Sequence, residues 1–224
     1  MPIDVAAGGP YLVPEGTALH RARPVQTEQG EPIAWEHDSS LAPEGGYALC
    51  RCGASSNKPF CDGSHNTHEW DGTETAATTT YDERATVLPG TGIDVRDDRG
   101  LCEHAGFCAN AHSNVWKMTA DTESTEVRSQ VAAMVERCPS GALTYRLDGT
   151  DHDLEPDLAP GIAVIDDGPL WVTGGIGVTR SDGQPLETRN RMTLCRCGAS
   201  SNKPLCDGSH AKAGFSDHGG PAQA

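Results

Sequence analysis

The sequence predicts an α+β protein in which two small β-rich modules flank a central unit that contains one helix. The first observation is a repeat, because residues 50–65 and 195–210 are identical except that Leu205 stands in place of Phe60. The second is a single amphipathic helical pattern, confined to residues 124–137. Most other apolar runs are three to five residues long and are bounded by Gly, Pro, Asp or Ser, which is typical of short strands.

Short strands are predicted ahead of each copy of the repeat. Residues 11–13, 32–35 and 47–49 are apolar runs that follow turn residues, and the last leads directly into the first copy. A comparable series, 168–172 and 192–194, precedes the second copy. The duplication therefore covers whole modules rather than a loop alone. We expect three domains, at residues 1–80, 81–150 and 151–224.

The central unit has its own order of elements. A strand is predicted at 93–96, followed by a loop with two cysteines, the helix, a Cys138-Pro139 step and a strand at 142–145. Pro139 and the glycine two residues after it end the helix and turn the backbone, so that Cys138 faces the cysteine loop.

Two acidic segments separate the three units. Residues 66–89 are rich in Thr, Asp and Glu, and we expect either a solvated linker or an exposed strand at 73–80. Residues 148–161 combine Pro, Gly and acidic side chains with few apolar ones, so we expect a linker that packs against nothing.

Composition and charge restrict the class of protein. Apolar residues make up only 36% of the chain, so small modules need a metal or a disulfide for stability. The first residues show no basic region followed by an apolar run, and no apolar run approaches 18 residues, so we expect neither a secretion signal nor a membrane span but a soluble cytoplasmic protein, whose nine cysteines stay reduced and serve metal or redox sites. A net charge of −15 argues against nucleic acid and membrane partners and suits a basic protein partner, although the acidic side chains can also serve solubility alone.

Each copy of the repeat offers three thiols and one imidazole in a C-x-C-x8-C-x3-H spacing. Cys50 and Cys52 point the same way in an extended segment, and Cys61 and His65 share a face of one helical turn. Such a set is typical of a metal site. Structural zinc is one alternative, although its modules usually space the first two cysteines by two to four residues, and disulfides are another.

Several residues around the thiols are candidates for supporting roles. Asp62 is a candidate N-cap acceptor, and Gly63 lets backbone amides approach sulfur. Cationic and aromatic side chains also recur at matching positions. The cations either stabilise an added electron, face a partner or are solvated surface charges, and each aromatic either covers its site or is a core residue. These residues are Arg51, Lys58 and Trp70 in the first copy, and Arg196, Lys203 and Phe215 in the second.

The repeated motif resembles the CDGSH iron–sulfur family, whose best-known members are the mitoNEET-type proteins. The signature C-x-C-x2-S-x3-P-x-C-D-G-S-H is complete in both copies. The resemblance implies a [2Fe-2S] cluster in each copy, with two cysteines on one iron and a cysteine with the histidine on the other. The implied ligands are Cys50, Cys52, Cys61 and His65, then Cys195, Cys197, Cys206 and His210. Supporting cluster contacts are expected from Asp62, Ser64, Asp207 and Ser209.

The central unit carries three further cysteines, Cys102, Cys108 and Cys138. The middle thiol position of a bacterial ferredoxin run is here Ala105. The unit resembles small single-cluster ferredoxins with a [3Fe-4S] centre, and its Cys-Pro-Ser-Gly-Ala-Leu end resembles divergent mono-cluster ferredoxin domains. A [4Fe-4S] centre would need water, His104 or a substrate on the last iron. His104 and the nearby His112 are otherwise surface histidines, and three purely structural cysteines are the remaining alternative.

These observations predict a multi-cluster electron-transfer protein rather than an enzyme. No Ser-His-Asp order, HExxH or phosphate-binding glycine loop is present, so no catalytic residue is assigned. The expected partners are a reductase and an oxidase such as a monooxygenase. Because single-motif relatives form homodimers, the two modules pair either within this chain or in a homodimer. A cluster-transfer protein or a redox or pH sensor is the alternative, and an enzyme with an open iron site is a third.

Overall fold

The computed structural model of the chain describes residues 1–41 and 43–217. In the first half of these residues the strands are β1 (Ile3–Val5), β2 (Tyr11–Val13), β3 (Leu19–Gln26), β4 (Pro32–Ser40), β5 (Tyr47–Leu49), β6 (Thr86–Pro89) and β7 (Ile93–Asp97). In the second half they are β8 (Leu143–Leu147), β9 (Gly161–Ile165), β10 (Leu170–Thr173), β11 (Val178–Thr179) and β12 (Arg191–Leu194). The helices are α1 (Tyr81–Arg84), α2 (Val115–Met118), α3 (Thr125–Glu136) and α4 (Ser209–Lys212). The predicted α+β class is confirmed.

The two repeat modules share their sheets. One sheet has the order β11-β1-β2-β5 and another has the order β12-β10-β9-β3-β4, so each combines strands from both ends of the chain. The exchanges are parallel: β1 pairs with β11 and β3 pairs with β9. Parallel neighbours require long connections, and here the central unit lies within that connection. The two modules therefore form an intrachain pair.

The shared core explains why the strands exchange. Ile3, Leu49, Leu170 and Leu194 are fully buried in one apolar cluster that takes side chains from both modules. The buried Tyr11 hydroxyl also donates to two carbonyls of the second repeat, at 2.6 and 3.0 Å. Neither module buries this surface alone, which follows from the low apolar content of each.

The central unit is a three-stranded antiparallel sheet, β6-β7-β8, covered by α3. Ser124 caps α3 by accepting from the Val127 amide, at 3.4 Å. The apolar face of the helix, including the fully buried Val131 and Val135, packs on Ile93 and Val95 of the sheet. The predicted helix and both predicted strands are present within one or two residues of their expected ends.

Several strands are absent from the sequence prediction because their side chains do not alternate. In β3 only two of the eight residues, Leu19 and Ala22, are buried, since the strand pairs on both sides but faces solvent over much of its length. The five residues of β9 are all buried, so that strand has no polar face. The short β1, β6 and β11 were also not predicted.

Both segments expected to be linkers pack on the structure. Residues 73–80 contain no strand, but Thr75 and Ala76 donate their amides to the Lys203 carbonyl of the second repeat. Within 148–161, Asp153 accepts from Arg96 at 2.9 Å and from the β8 arginine at 2.6 Å. The prediction of a segment that packs against nothing is wrong, because these ion pairs hold it together with Leu154 and Leu158, which pack against apolar clusters. The three domain boundaries stay a prediction.

None of the helices in the described residues has the length and apolar character that a membrane span requires.

Candidate metal centres

The first repeat brings its four expected ligands into two pairs. The Sγ atoms of Cys50 and Cys52 lie 3.8 Å apart, and Cys61 Sγ lies 3.4 Å from His65 Nδ1. The backbone joins the pairs, because the Cys61 amide donates to the Ala48 carbonyl at 2.9 Å, next to the start of the motif. One side of the set is buried, whereas Cys61 and His65 are partly exposed.

The second repeat has the same arrangement. Cys195 and Cys197 have their Sγ atoms 3.6 Å apart, and Cys206 Sγ lies 3.4 Å from His210 Nδ1. The equivalent backbone bond joins Cys206 to the carbonyl of Thr193, at 2.9 Å. All three thiols of this copy are buried, which is the first difference between the two sites.

These distances fit tetrahedral metal sites. With a metal–sulfur bond of about 2.3 Å and a metal–nitrogen bond of about 2.0–2.1 Å, two thiolates on one metal lie about 3.8 Å apart, and a thiolate and an imidazole lie about 3.6 Å apart. All four measured separations are within a few tenths of an ångström of these values. Each repeat therefore offers two ligand pairs, each spaced to hold one metal ion, as a two-iron cluster requires.

The three cysteines of the central unit line one cavity of 250 Å³. His104 and Ala105 line it too, whereas the exposed His112 does not. Burial, with the other two thiols nearby, raises the pKa of Cys108 to about 11, so this thiol needs a metal ion or a cation to ionise near neutral pH. The cavity thus assembles Cys102, Cys108 and Cys138 with one imidazole on its wall.

Comparison with protein families agrees with this geometry. The model described as "Iron-binding zinc finger CDGSH type" matches residues 8–66 and 167–211, and the model described as "Divergent 4Fe-4S mono-cluster" matches residues 88–148. The chain carries two CDGSH segments around a mono-cluster domain. It is an iron–sulfur protein. No match was found among curated proteins or among solved structures.

The CDGSH turn is held by its own aspartate. Asp62 accepts from the amide and hydroxyl of Ser56, both at 2.8 Å, and from those of Ser64, at 3.0 and 2.6 Å. These bonds, led by the Ser64 hydroxyl, hold the pKa of Asp62 well below its usual range. The turn ends in a short 3-10 helix, Ser64–Asn66, whose N-cap is Gly63, with φ 87°. Asp62 therefore lies one residue before the N-cap position that was predicted for it. The Gly63 amide points at Cys61 Sγ, at 3.4 Å, as predicted.

The second CDGSH turn repeats these contacts. Asp207 accepts from the Ser201 amide at 2.8 Å and from the Ser209 amide at 3.0 Å, and the Gly208 amide lies 3.4 Å from Cys206 Sγ. In both turns the Asp and Ser side chains hydrogen-bond to the turn. Their direct contact with a cluster stays a prediction.

The two motif arginines are buried, so their interpretation as solvated surface charges is wrong. Arg51 is 1% exposed and donates to the Gly9 and Gly72 carbonyls, at 2.9 and 3.1 Å, and Arg196 is 2% exposed and donates to the Gly168 carbonyl at 2.6 Å. Each guanidinium also pairs with a buried carboxylate, Glu74 for Arg51 and Asp217 for Arg196. The arginines therefore tie the loop before each motif to the segment after it.

The aromatic residues after each motif lie against its first two cysteines. Trp70 packs on Cys50 and Cys52, and Phe215 packs on Cys195 and Cys197. The arginine of each copy lies over the same ring, 4.9 Å from its centroid in both cases. These rings shield the two-cysteine side of each site from water.

The two motif lysines differ in environment. Lys203 is 7% exposed and donates to the Ser200 carbonyl at 2.6 Å, so it is not a solvated surface charge either. Lys58 is partly exposed and lies 5.8 Å from the centre of the Phe215 ring.

The buried cysteine pairs already favour one thiolate each. A hydrogen bond from Cys52 lowers the pKa of Cys50 to about 6, with help from the amides of Ser55 and Gly53. The partner thiol keeps its proton, because donating that bond and its burial raise the pKa of Cys52. Cys195 and Cys197 repeat this difference. Metal binding therefore has to displace about one proton from each pair.

The two CDGSH segments meet at their second cysteines. Cys52 and Cys197 form an antiparallel bridge, and each is followed by a glycine with positive φ, Gly53 at 80° and Gly198 at 79°. A Cβ on Gly53 would lie 2.5 Å from the Cys197 carbonyl oxygen, and one on Gly198 would lie 2.6 Å from that of Cys52. Only glycine allows this approach.

The mono-cluster domain contacts the second CDGSH turn. Among the described residues, Gly63 of the first CDGSH turn has no such neighbour from the mono-cluster domain. A Cβ on Gly208 would lie 2.6 Å from His104 Cδ2 and 3.0 Å from the Glu103 carbonyl oxygen, whereas one on Gly63 would meet only its own turn. The Glu103 side chain is buried beside Cys206 and His210. Sequence analysis missed Glu103, and its position next to Cys102 was the only signal that marked it.

Proposed function

We propose that this chain is a cytoplasmic electron-transfer protein. Each CDGSH segment holds one [2Fe-2S] cluster, and Cys102, Cys108 and Cys138 hold a [3Fe-4S] or [4Fe-4S] cluster. Bound clusters of these kinds supply one-electron oxidation and reduction. The donor sets support this assignment, because the ligand spacings of both repeats suit tetrahedral metals, the nine cysteines are free, and the first two thiols of each repeat are buried and paired.

One observation carries the proposal: the three cysteine sets are in backbone contact in a series. The Cys52 and Cys197 strands touch at the joint between the CDGSH segments. The Glu103 carbonyl, one residue from Cys102, lies against Gly208, two residues from Cys206. A protein that needed iron for stability alone would not need its three sites to be adjacent.

Residues of the protein set the reduction potential and the solvent exposure of each site. The neutral imidazole of His65 or His210 replaces a thiolate, which removes one negative charge and raises the reduction potential above that of an all-thiolate site. The partly buried Trp70 and the buried Phe215 shield the opposite side from water. The partly exposed Cys61 and His65 mark the surface where an electron leaves or enters. With a net charge of −15, the chain suits a basic redox partner, a reductase or an oxidase such as a monooxygenase.

The deciding experiment is anaerobic electron paramagnetic resonance with iron and sulfide quantitation. We expect two [2Fe-2S] signals after reduction, together with a [3Fe-4S] signal in the oxidised sample or a third reduced signal from [4Fe-4S]. Substoichiometric reductant should distribute electrons over more than one centre within milliseconds. Stoichiometric zinc without iron signals, or centres that reduce with no exchange between them, would refute electron transfer.

A second candidate function is cluster transfer to acceptor proteins. The partial exposure of Cys61 and His65 favours it, because a protonated imidazole leaves iron readily. If the protein transfers clusters, His65→Cys should block transfer to an apo-acceptor. The visible absorbance that the acceptor gains measures this transfer. An unchanged transfer rate in the double variant with His65→Cys and His210→Cys would exclude cluster transfer as the function.

A further inference from the structure

The second CDGSH site contains a carboxylate that the first one lacks. Ligand atoms of Glu103, Cys206 and His210 all lie within 4.8 Å of one another. Among the described residues, no further His, Cys, Asp or Glu joins Cys61 and His65 in this way. Since the two motifs differ by one apolar residue, the difference comes entirely from the mono-cluster domain that lies against the second copy.

This carboxylate is buried without compensation from the protein. Glu103 is 5% exposed, and its Oε1 has no hydrogen-bond partner among the described residues. Burying a carboxyl group without a hydrogen-bond or ion-pair partner is unfavourable. No cationic side chain is paired with it in the described structure. A metal ion held by Cys206 and His210 would lie within its reach and would satisfy it.

We propose that Glu103 is a reserve iron ligand of the second CDGSH site, which binds the iron of Cys206 when the His210 imidazole leaves. Carboxylate oxygens bind such metals at about 2.0–2.2 Å, close to the bond length of imidazole nitrogen. The glutamate side chain has three rotatable bonds, and the shift it needs is shorter than the 4.8 Å separation. The exchange would break an iron–nitrogen bond and form an iron–oxygen bond with no change in oxidation state, and a proton released by the Glu103 carboxyl would go to the departing imidazole.

The two nearly identical sites would therefore differ in how readily they lose their clusters. The second site keeps its cluster through loss of the histidine, whereas the first site, whose Cys61 and His65 are partly exposed, releases its cluster. This inference rests on the proposed [2Fe-2S] occupancy of the second segment, and it holds whether the protein carries electrons or clusters.

The test compares two matched variants of the full-length protein loaded with clusters, His210→Ala and His65→Ala. Iron and sulfide per chain and the visible absorbance are followed anaerobically at neutral pH. Pulsed electron paramagnetic resonance reports the nitrogen coupling of the imidazole. We expect the second cluster in His210→Ala to last at least ten times longer than the first cluster in His65→Ala. In each variant the nitrogen coupling of the altered site should be lost. Equal lifetimes overturn the proposal.

A double variant, His210→Ala with Glu103→Gln, separates the carboxylate from simple burial. It should lose the second cluster as fast as His65→Ala loses the first, and Glu103→Gln alone should retain both clusters and both nitrogen couplings. If the second cluster lasts as long in the double variant as in His210→Ala, the proposal is overturned. If the double variant does not fold, the lifetimes of the two single histidine variants decide. Wild-type protein without a second [2Fe-2S] cluster would instead refute the proposed function, so the two failures are distinguishable.

Discussion

The joint between the two CDGSH segments makes a sharp prediction for Gly53→Ala. The added methyl group would sit 2.5 Å from the Cys197 carbonyl oxygen and 2.9 Å from its carbonyl carbon. Both are backbone atoms of the opposite segment, so no side-chain rotation relieves the contact. The reciprocal variant, Gly198→Ala, meets the Cys52 carbonyl oxygen at 2.6 Å and should behave alike.

The magnitude follows from two costs. An alanine at φ near 80° costs about 1–2 kcal/mol from backbone conformation alone. Forcing the two segments apart adds about 1–3 kcal/mol, the usual cost of overpacking. Gly183 isolates the first cost, because its φ is 81° and a Cβ there would have nothing within 4 Å. We therefore expect Gly53→Ala to be less stable than Gly183→Ala by about 1–3 kcal/mol.

Thermal unfolding of the cluster-loaded protein measures this difference. For a chain of this size, each kcal/mol lowers the midpoint by about 2–4 °C, so the two variants should differ by at least a few degrees. Visible absorbance in the same scan should show that Gly53→Ala loses cluster absorbance earlier than Gly183→Ala does. Equal midpoints for the two variants would refute the close contact between the CDGSH segments.

Three other perturbations test separate parts of the structure. Tyr11→Phe removes a buried hydroxyl that donates across the two modules and should cost about 1–3 kcal/mol in thermal unfolding, and an unchanged midpoint would contradict the shared core. Arg191→Gln frees the Cys138 carbonyl, to which Arg191 donates at 2.9 Å, and should lower iron content by the share of the central cluster while both [2Fe-2S] signals remain. Asp153→Asn tests pH: burial raises the pKa of Asp153, but hydrogen bonds from Arg96 and others outweigh it and hold that pKa below its usual value. The wild type should therefore be more stable than Asp153→Asn above about pH 4, and lose that advantage as the pH falls through the lowered pKa, in thermal scans from about pH 7 to about pH 2.

The grouping of the expected ligands within each repeat was predictable from the sequence because it depends on neighbouring residues. Cys61 Sγ lies 3.4 Å from His65 Nδ1, although the helical turn that contains His65 begins only at Ser64 and does not include Cys61. The helix α3 was predictable for the same reason, since its buried face recurs every three to four residues. The assembly of Cys138 with the cysteine loop followed from the Cys-Pro step at the end of that helix. These features need no knowledge of distant residues.

Features that depend on distant partners were predicted wrongly or not at all. Arg51 and Arg196 could be surface charges by sequence alone, but carbonyls of distant segments, Gly9 and Gly168, accept their hydrogen bonds and both side chains are buried. Strand β3 carries little alternation, and it is a strand because it pairs with β4 on one side and with the distant β9 on the other. Asp153 holds a segment that has almost no apolar side chains.

By itself, then, the sequence determined the family of the repeat and the α+β class and predicted the three donor sets, because ligand spacing and helical periodicity are properties of neighbouring residues. Only the tertiary structure decided that the two CDGSH segments exchange strands, that they meet at Cys52 and Cys197, and that Glu103 distinguishes the second site from the first. The physical reason is that two identical motifs become different only through what packs against them. That packing is set by chain segments about one hundred residues away.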